Sequence, residues 1–231
     1  MIPYMLGSDE TNWPGVIQGD ALELCRWLPD ESIDLIFTDP PYSKEFVPLY
    51  EWVAKEGKRL LRPGGFCLVM CGGAYLNEIM CRMGRHLDYY WMYHVSLVGR
   101  ETGKVHPRGT SKPVIIRQKQ IAAWSKGRSE PRTVTYDVMS GNGTDKRFHR
   151  WGQDVRSARY FIDCFSRANE VVLDPFAGGG TTAVACRLLG RRWLLMDEDR
   201  ESVDTIRARL LGLGLPMFDS LGLQSRMQLL G

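Results

Sequence analysis

The stretch EVVLDPFAGGGTT, residues 170–182, decides how this 231-residue chain reads. Val171 to Asp174 have the composition of a buried strand, and the residues from Thr181 onward that of a helix. Between them, Gly178, Gly179 and Gly180 take away the side chains that keep a ligand off the backbone. The helix start adds unpaired N–H groups suited to an anion. The spacing is not the phosphate-binding GxxxxGK[ST], because no Lys precedes Thr181, and it is not the dinucleotide GxGxxG. The next apolar run, WLLMD (193–197), ends on Asp197. An acid about 20 residues on is placed to hold ribose hydroxyls. Together these features suit a nucleoside that carries a carboxylate instead of a pyrophosphate, and S-adenosylmethionine is such a molecule.

Outward from this stretch, short apolar runs alternate with helix-like segments, the pattern of an α/β sheet. VIQ (16–18), IDLIFT (33–38), FCLVMC (66–71), WMYHVSL (91–97), EVVLD (170–174) and WLLMD (193–197) read as strands. Helices are expected at 46–61, ended by Arg62-Pro63-Gly64-Gly65, and at 74–84, 157–167, 181–189 and 200–211. A second motif, Asp39-Pro40-Pro41-Tyr42, follows the strand 33–38 directly. Its two prolines fix φ and leave carbonyls free of competing N–H groups, at the strand end where ligands sit in open α/β sheets.

Composition narrows the classes. Seven Trp, eight Phe and nine Tyr need burying, which excludes a predominantly disordered chain. No uncharged stretch reaches the ~20 apolar residues of a membrane helix, and the opening MIPYMLGSDE lacks the regions of a secretory signal. Six cysteines form no CxxC pair, so a reduced, cytoplasmic protein is expected. Cys67, Cys71 and Cys81 with His86 have the residue types of a zinc site. However, the first two lie in an apolar run, so they read as buried thiols and no metal is implied. Residues 100–150 hold twelve Lys and Arg against four Asp and Glu, although the whole chain is only +3. An acidic body with one basic segment points to a polyanion partner for that segment.

DPPY followed far downstream by DPFAGGGTT resembles the amino-group DNA methyltransferases, which modify N6 of adenine or N4 of cytosine. The motif order is similar to that of their circularly permuted beta class. The resemblance runs from about Gly19 to Asp197. It implies a Rossmann-like S-adenosylmethionine-dependent α/β fold, circularly permuted, with a small inserted recognition lobe. Residues 1–99 would form the catalytic half and 100–150 the basic target-recognition insertion. Residues 151–231 would form the cofactor-binding half with a C-terminal tail.

The resemblance also implies roles. Asp39, Pro40, Pro41 and Tyr42 match the catalytic tetrad. There a carboxylate and the Pro40 carbonyl accept the two N–H bonds of a flipped-out base's amine, and Tyr42 stacks on the base. Asp174, Phe176, Gly178, Gly180 and Thr181 match the glycine motif beneath the methionine part of S-adenosylmethionine. Asp197, with Glu198 as its neighbour and competitor, matches the ribose-binding acid. Asp20 resembles the residue facing the cofactor's adenine, and it equally suits the N-cap of a helix beginning at Ala21. The family's HPTQKP-like stretch is replaced by His149-Arg150-Trp151-Gly152-Gln153-Asp154, so no cofactor contact is assigned there.

Double-stranded DNA is the implied partner. Lys104, Arg108, Lys112, Arg117, Lys119, Lys126, Arg128 and Arg132 are the candidates for contacting it, with Trp124 and Trp151 as further aromatics. Asp39, rather than Ser, favours adenine-N6 over cytosine-N4. RNA methylation and a catalytically silent DNA-binding protein are the remaining alternatives. The sequence leaves monomer and homodimer equally open.

Overall fold

The structure, a computed structural model, describes residues 15–97, 111–119, 138–141 and 155–212. Eight strands share one sheet: β1 (Gly15–Gln18), β2 (Ile33–Thr38), β3 (Leu61–Met70), β4 (Asp88–Leu97), β5 (Ser111–Gln118), β6 (Val138–Gly141), β7 (Val171–Asp174) and β8 (Arg192–Asp197). Their spatial order is β1-β8-β7-β2-β3-β5-β4-β6. The first five positions are mutually parallel. β5 runs antiparallel to β3 and β4, and β6 returns parallel to β4.

Helices cover both faces, so the central strands read as continuous apolar runs rather than alternating ones. All six residues of β2 are buried. On one face α1 (Ala21–Leu24), α2 (Val47–Leu60) and α3 (Leu76–Met83) bring Val47, Tyr50, Val53, Ile79 and Met83 onto Ile33, Ile36, Cys67, Val69 and Ile115. On the other, α4 (Val155–Phe165) and α5 (Thr181–Leu189) bring Ala158, Phe161, Ile162, Phe165 and Ala185 onto Leu35, Phe37, Leu68, Ile116 and Val172. α6 (Arg200–Gly212) closes the β1–β8 end with Val203, Ile206 and Leu210. Among the described residues no helix is long and apolar enough to cross a membrane.

Two expectations change. β3 starts at Leu61, straight after the helix, rather than at Phe66. Ile33 pairs with Leu61, and a register shift then carries the pairing to Leu35 opposite Phe66. The segment 100–150 is also not a separate lobe along its whole length. β5 is an internal strand with Val114, Ile115 and Ile116 at 0% exposure, and β6 extends the same sheet. Three consecutive apolar residues between two strands are fully enclosed by the helix layers, and that outweighs the basic residues flanking them.

The topology places β2 beside β7. Leu35 pairs with Val172 and Ile36 with Leu173. The two motifs of the sequence therefore meet at the carboxyl ends of adjacent parallel strands, where the crevice of an open α/β sheet lies.

Candidate active site

Asp174 links the two motifs. Thr38 Oγ1 donates to its Oδ1 at 2.7 Å, and Thr182 Oγ1, from the first turn of α5, donates to Oδ2 at 2.5 Å. The Phe176 N–H adds a third hydrogen bond, to Oδ1 at 3.2 Å. Asp174 is 4% exposed. Burial pushes its carboxyl up to about 6; the two hydroxyls and the Phe176 N–H pull the other way, and nearby Asp39 adds to the rise. The carboxylate thus ties β2, β7 and α5 together inside the protein.

The glycine loop turns on two left-handed residues, Gly178 at φ +48° and Gly180 at φ +74°. A Cβ on Gly180 would stand 2.7 Å from Ile206 Cγ1, so α6 itself demands glycine there. Asp197 holds the loop from the side, its Oδ2 accepting from the Gly178 N–H at 2.8 Å and its Oδ1 from the Asp199 N–H at 3.0 Å. Its backbone carbonyl accepts from the Gly19 N–H at 2.9 Å, which brings the end of β1 alongside. Asp20 next to it caps α1, with Oδ1 accepting from the Leu22 N–H at 2.8 Å. Of its two readings, the cap is therefore present in the fold. Phe176 packs edge-on to Trp52 of α2, ring centroids 6.0 Å apart. Thr181 is buried as the first residue of α5, and Glu198 is exposed.

On the β2 side, Asp39 Oδ1 accepts from the Tyr42 hydroxyl. The Pro40 and Pro41 carbonyls face the Tyr50 hydroxyl of α2 at 3.3 and 3.4 Å. Tyr42 lies against Gly72, where a Cβ would be 3.4 Å from the tyrosine Cβ. Burial first, then the Asp39 charge, pushes the Tyr42 hydroxyl up. It therefore stays protonated and remains a donor. Lys112 completes the cluster, with Nζ 3.5 Å from Asp39 Oδ2 and 5.0 Å from the centre of the Tyr42 ring.

The basic candidates divide. Arg117 is 4% exposed and donates to the Met80 carbonyl at 2.6 Å. Lys119 is 8% exposed and donates to the Leu61 carbonyl at 2.7 Å and to Glu31 at 2.9 Å. Both serve the sheet and its flanking helix, which corrects the expectation that they face DNA. Lys112 turns into the Asp39 cluster. Lys104, Arg108, Lys126, Arg128 and Arg132, like Trp124 and Trp151, lie outside the described residues. Cys67 and Cys71 are fully buried, and burial pushes each thiol to about 12. Reading the motifs alone misses Thr38 and Thr182 as partners of Asp174, though each stands inside or beside a quoted motif. It also misses Tyr50, which no local pattern marks.

A mixed sheet with a DPPY turn on β2 and a glycine loop on the adjacent β7 defines the Rossmann-like methyltransferase fold in its permuted chain order. Comparison with known proteins agrees. A family model described as DNA methylase matches residues 117–208. YubD of Escherichia coli (strain K12) is 28% identical over 194 residues, covering 77% of this chain and 82% of that protein. The type II methyltransferase M.HinfI of Haemophilus influenzae is 26% identical over 250 residues, covering 84% and 67%. M.BamHI of Bacillus amyloliquefaciens is 27% identical over 225 residues and covers 76% of this chain, which spans about half (52%) of M.BamHI. Among solved structures, the M1.HpyAVI–SAM complex aligns with a TM-score of 0.69 at 24% identity, covering 84% of this chain and 98% of that one. The cytosine-N4-specific PvuII DNA methyltransferase aligns with a TM-score of 0.74 at 18% identity, covering 87% and 88%. The chain is thus similar to DNA amino-group methyltransferases over its DNA methylase match and across these relatives, and it shares their fold.

Proposed function

We propose that the protein transfers a methyl group from S-adenosylmethionine to the N6 amine of a flipped-out adenine in double-stranded DNA. The observation that carries this reading is the pairing of Asp39 and the Pro40 carbonyl at the end of β2, one strand away from the Asp174–Thr182 glycine loop.

The donor set suits the cofactor. Asp197 and Asp20 bring two carboxylates to the ends of β8 and β1, which are adjacent in the sheet, as acceptors for hydroxyl and amino groups of a nucleoside. Phe176 and the loop around Gly178 to Thr181 lie beside them, for the methionine portion. When bound there, the cofactor supplies an activated methyl group on a sulfonium.

The chain's own groups then prepare the amine. An exocyclic amine conjugated with a base ring is a weak nucleophile because its lone pair is delocalised. If the Asp39 carboxylate accepts one N–H and the Pro40 carbonyl the other, the nitrogen is held tetrahedral and its lone pair projects out of the ring plane. Acceptors preorganised in a partly buried site do this more strongly than water does. Tyr42 supplies the stacking surface, and the hydroxyl of Tyr50 steadies the Pro40–Pro41 turn. The proton shed by the methylated amine passes to Asp39 or to solvent. An acidic first position in the tetrad favours adenine over cytosine. Lys104, Arg108, Lys126, Arg128 and Arg132 are assigned to the DNA backbone on charge alone.

The test is nucleoside mass spectrometry of DNA from a methylation-deficient bacterial host expressing the chain, with Asp39→Ala alongside. N6-methyladenine with the intact chain and none with the variant is the expected result. N4-methylcytosine would keep the chemistry and change the base. No modified base from folded protein would overturn the reading.

A further inference from the structure

We infer that Lys112 reads the target base, acting with Asp39 as a donor–acceptor pair that recognises the edge shared by adenine and cytosine. The inference rests on the proposed methyl transfer and names a residue that reading leaves unassigned.

Lys112 stands at the start of β5, with Val95 of β4 as its partner in register. β5 is anchored at this end by the Cys71 N–H, which donates to the Pro113 carbonyl at 3.1 Å. The lysine stem thereby starts from a fixed strand, and its side chain is only 17% exposed. Its ammonium is 3.5 Å from Asp39 Oδ2 and lies over the Tyr42 ring. A separation of 3.5 Å is the outer limit of a hydrogen bond, so this contact is a loose one that a better acceptor can replace. Asp39 Oδ1 is held by the Tyr42 hydroxyl. On this inference the base enters beside Oδ2 and takes the ammonium's place over the Tyr42 ring, and the ammonium swings from the ring toward the base edge.

The chemistry of the bases matches that pair. In adenine and in cytosine the carbon bearing the amine also bears an unprotonated ring nitrogen, so the edge presents a donor beside an acceptor. A carboxylate oxygen accepts from the amine, and an ammonium, which has three donors and no acceptor, donates to the ring nitrogen. At the position equivalent to the adenine amine, guanine places a carbonyl beside an N–H, and thymine likewise places its carbonyl where the amine should be. Against either, at least one member of the Asp39–Lys112 pair meets a group of its own kind. Enzymes that act on flipped bases read this edge by hydrogen bonds. Here the reader would sit on a sheet strand, outside the basic residues that follow the backbone. The ammonium exchanges a long contact to Asp39 for one to the ring nitrogen when the base enters, and the Asp39 carboxylate close by remains its counter-charge. Only hydrogen bonds change hands; Lys112 transfers no proton in this role.

The experiment compares oligonucleotide duplexes carrying either the natural target base or its deaza analogue, in which the ring nitrogen beside the amine becomes C–H. For adenine the analogue is 1-deazaadenine. Each is placed opposite an abasic site so that pairing strength does not differ. Wild type is expected to prefer the natural base by roughly ten- to a hundredfold in kcat/KM, the worth of one hydrogen bond to a charged donor. Lys112→Met keeps the stem and loses the donor, and its preference is expected to fall to near one. Lys112→Gln restores a neutral donor and part of the preference. Unchanged cofactor affinity in both variants controls for folding. A lysine that merely supports the site would slow both substrates equally and leave the ratio intact, and that result overturns the inference. So does a wild type that methylates the two substrates alike. Absence of methylation on any DNA by wild type is a different failure, that of the methyl-transfer reading, and this inference falls with it.

Discussion

Thr38 and Asp174 are 136 residues apart in sequence and share a hydrogen bond of 2.7 Å. Thr38 immediately precedes Asp39, and Asp174 opens the glycine loop, so this bond fixes the spacing between the proposed acceptor for the amine and the loop proposed for the cofactor. Thr38→Val keeps the shape and removes the donor, leaving a buried carboxylate with one partner fewer. A loss of about 1–3 kcal/mol in stability is expected. Methyl transfer should fall by more than cofactor affinity, because a transferred group tolerates little misplacement. Chemical denaturation and paired rate and binding measurements check this. A variant as stable and as fast as the parent would falsify the role given to the bond.

The same carboxylate makes stability depend on pH with a definite sign. Asp174 has a folded value of about 6, against about 4 for an unfolded aspartate. Below the lower value both states are protonated and folding carries no penalty from this group. As pH rises from about 4 to about 6 the unfolded chain ionises first, and stability is lost. Above about 6 the loss is complete, on the order of 3 kcal/mol. Asp174→Asn removes that slope. The difference between the wild-type and variant denaturation curves, measured from pH 4 to 8, should therefore grow across this window in favour of the variant. A flat difference would show that Asp174 titrates at its ordinary value.

Two left-handed glycines at the ends of α5 separate backbone strain from crowding. Gly190, just past the helix, has φ +67°, and a Cβ added there would meet nothing within 4 Å. Gly180, just before it, has φ +74° and Ile206 at 2.7 Å. Gly190→Ala should therefore cost only the left-handed penalty, about 1–2 kcal/mol. Gly180→Ala should cost that plus an overpacking component of about 1–3 kcal/mol and weaken cofactor binding. Equal losses in the two variants would mean that α6 yields at Ile206 and that glycine is not demanded there by packing.

How much of this was legible in the sequence follows from what a linear pattern encodes. The strand ends carrying Asp39 and Asp174 were readable because apolar runs and turn residues are local signals. That β2 and β7 are neighbours was implied only through the family resemblance. The double duty of Asp174 and Asp197 was hidden. Both read as ligand groups, yet the loop's own backbone N–H groups take oxygens from each, and a backbone donor leaves no mark in a sequence. The basic segment misled for a related reason. Counting charge along residues 100–150 gives Arg117 and Lys119 the same weight as Lys104. The fold instead buries both side chains and ends them on the Met80 and Leu61 carbonyls.

That division of the basic residues gives the last prediction. Lys119 holds the Leu61 carbonyl, where α2 gives way to β3, and pairs with Glu31 across the β2 approach. Lys119→Met leaves that carbonyl without this donor in a site only 8% exposed at the lysine, and a stability loss of about 1–3 kcal/mol is expected. The slope of log DNA affinity against log salt should stay as it was, because no phosphate contact has been lost. Neutralising Lys104, Arg108, Lys126, Arg128 and Arg132 together should do the reverse, with stability kept, affinity reduced, and the slope flattened by nearly one for each phosphate released. Salt titrations of DNA binding, run beside denaturation of the same two proteins, separate the cases. If Lys119→Met flattened the slope and left stability untouched, the lysine would belong to the DNA surface after all.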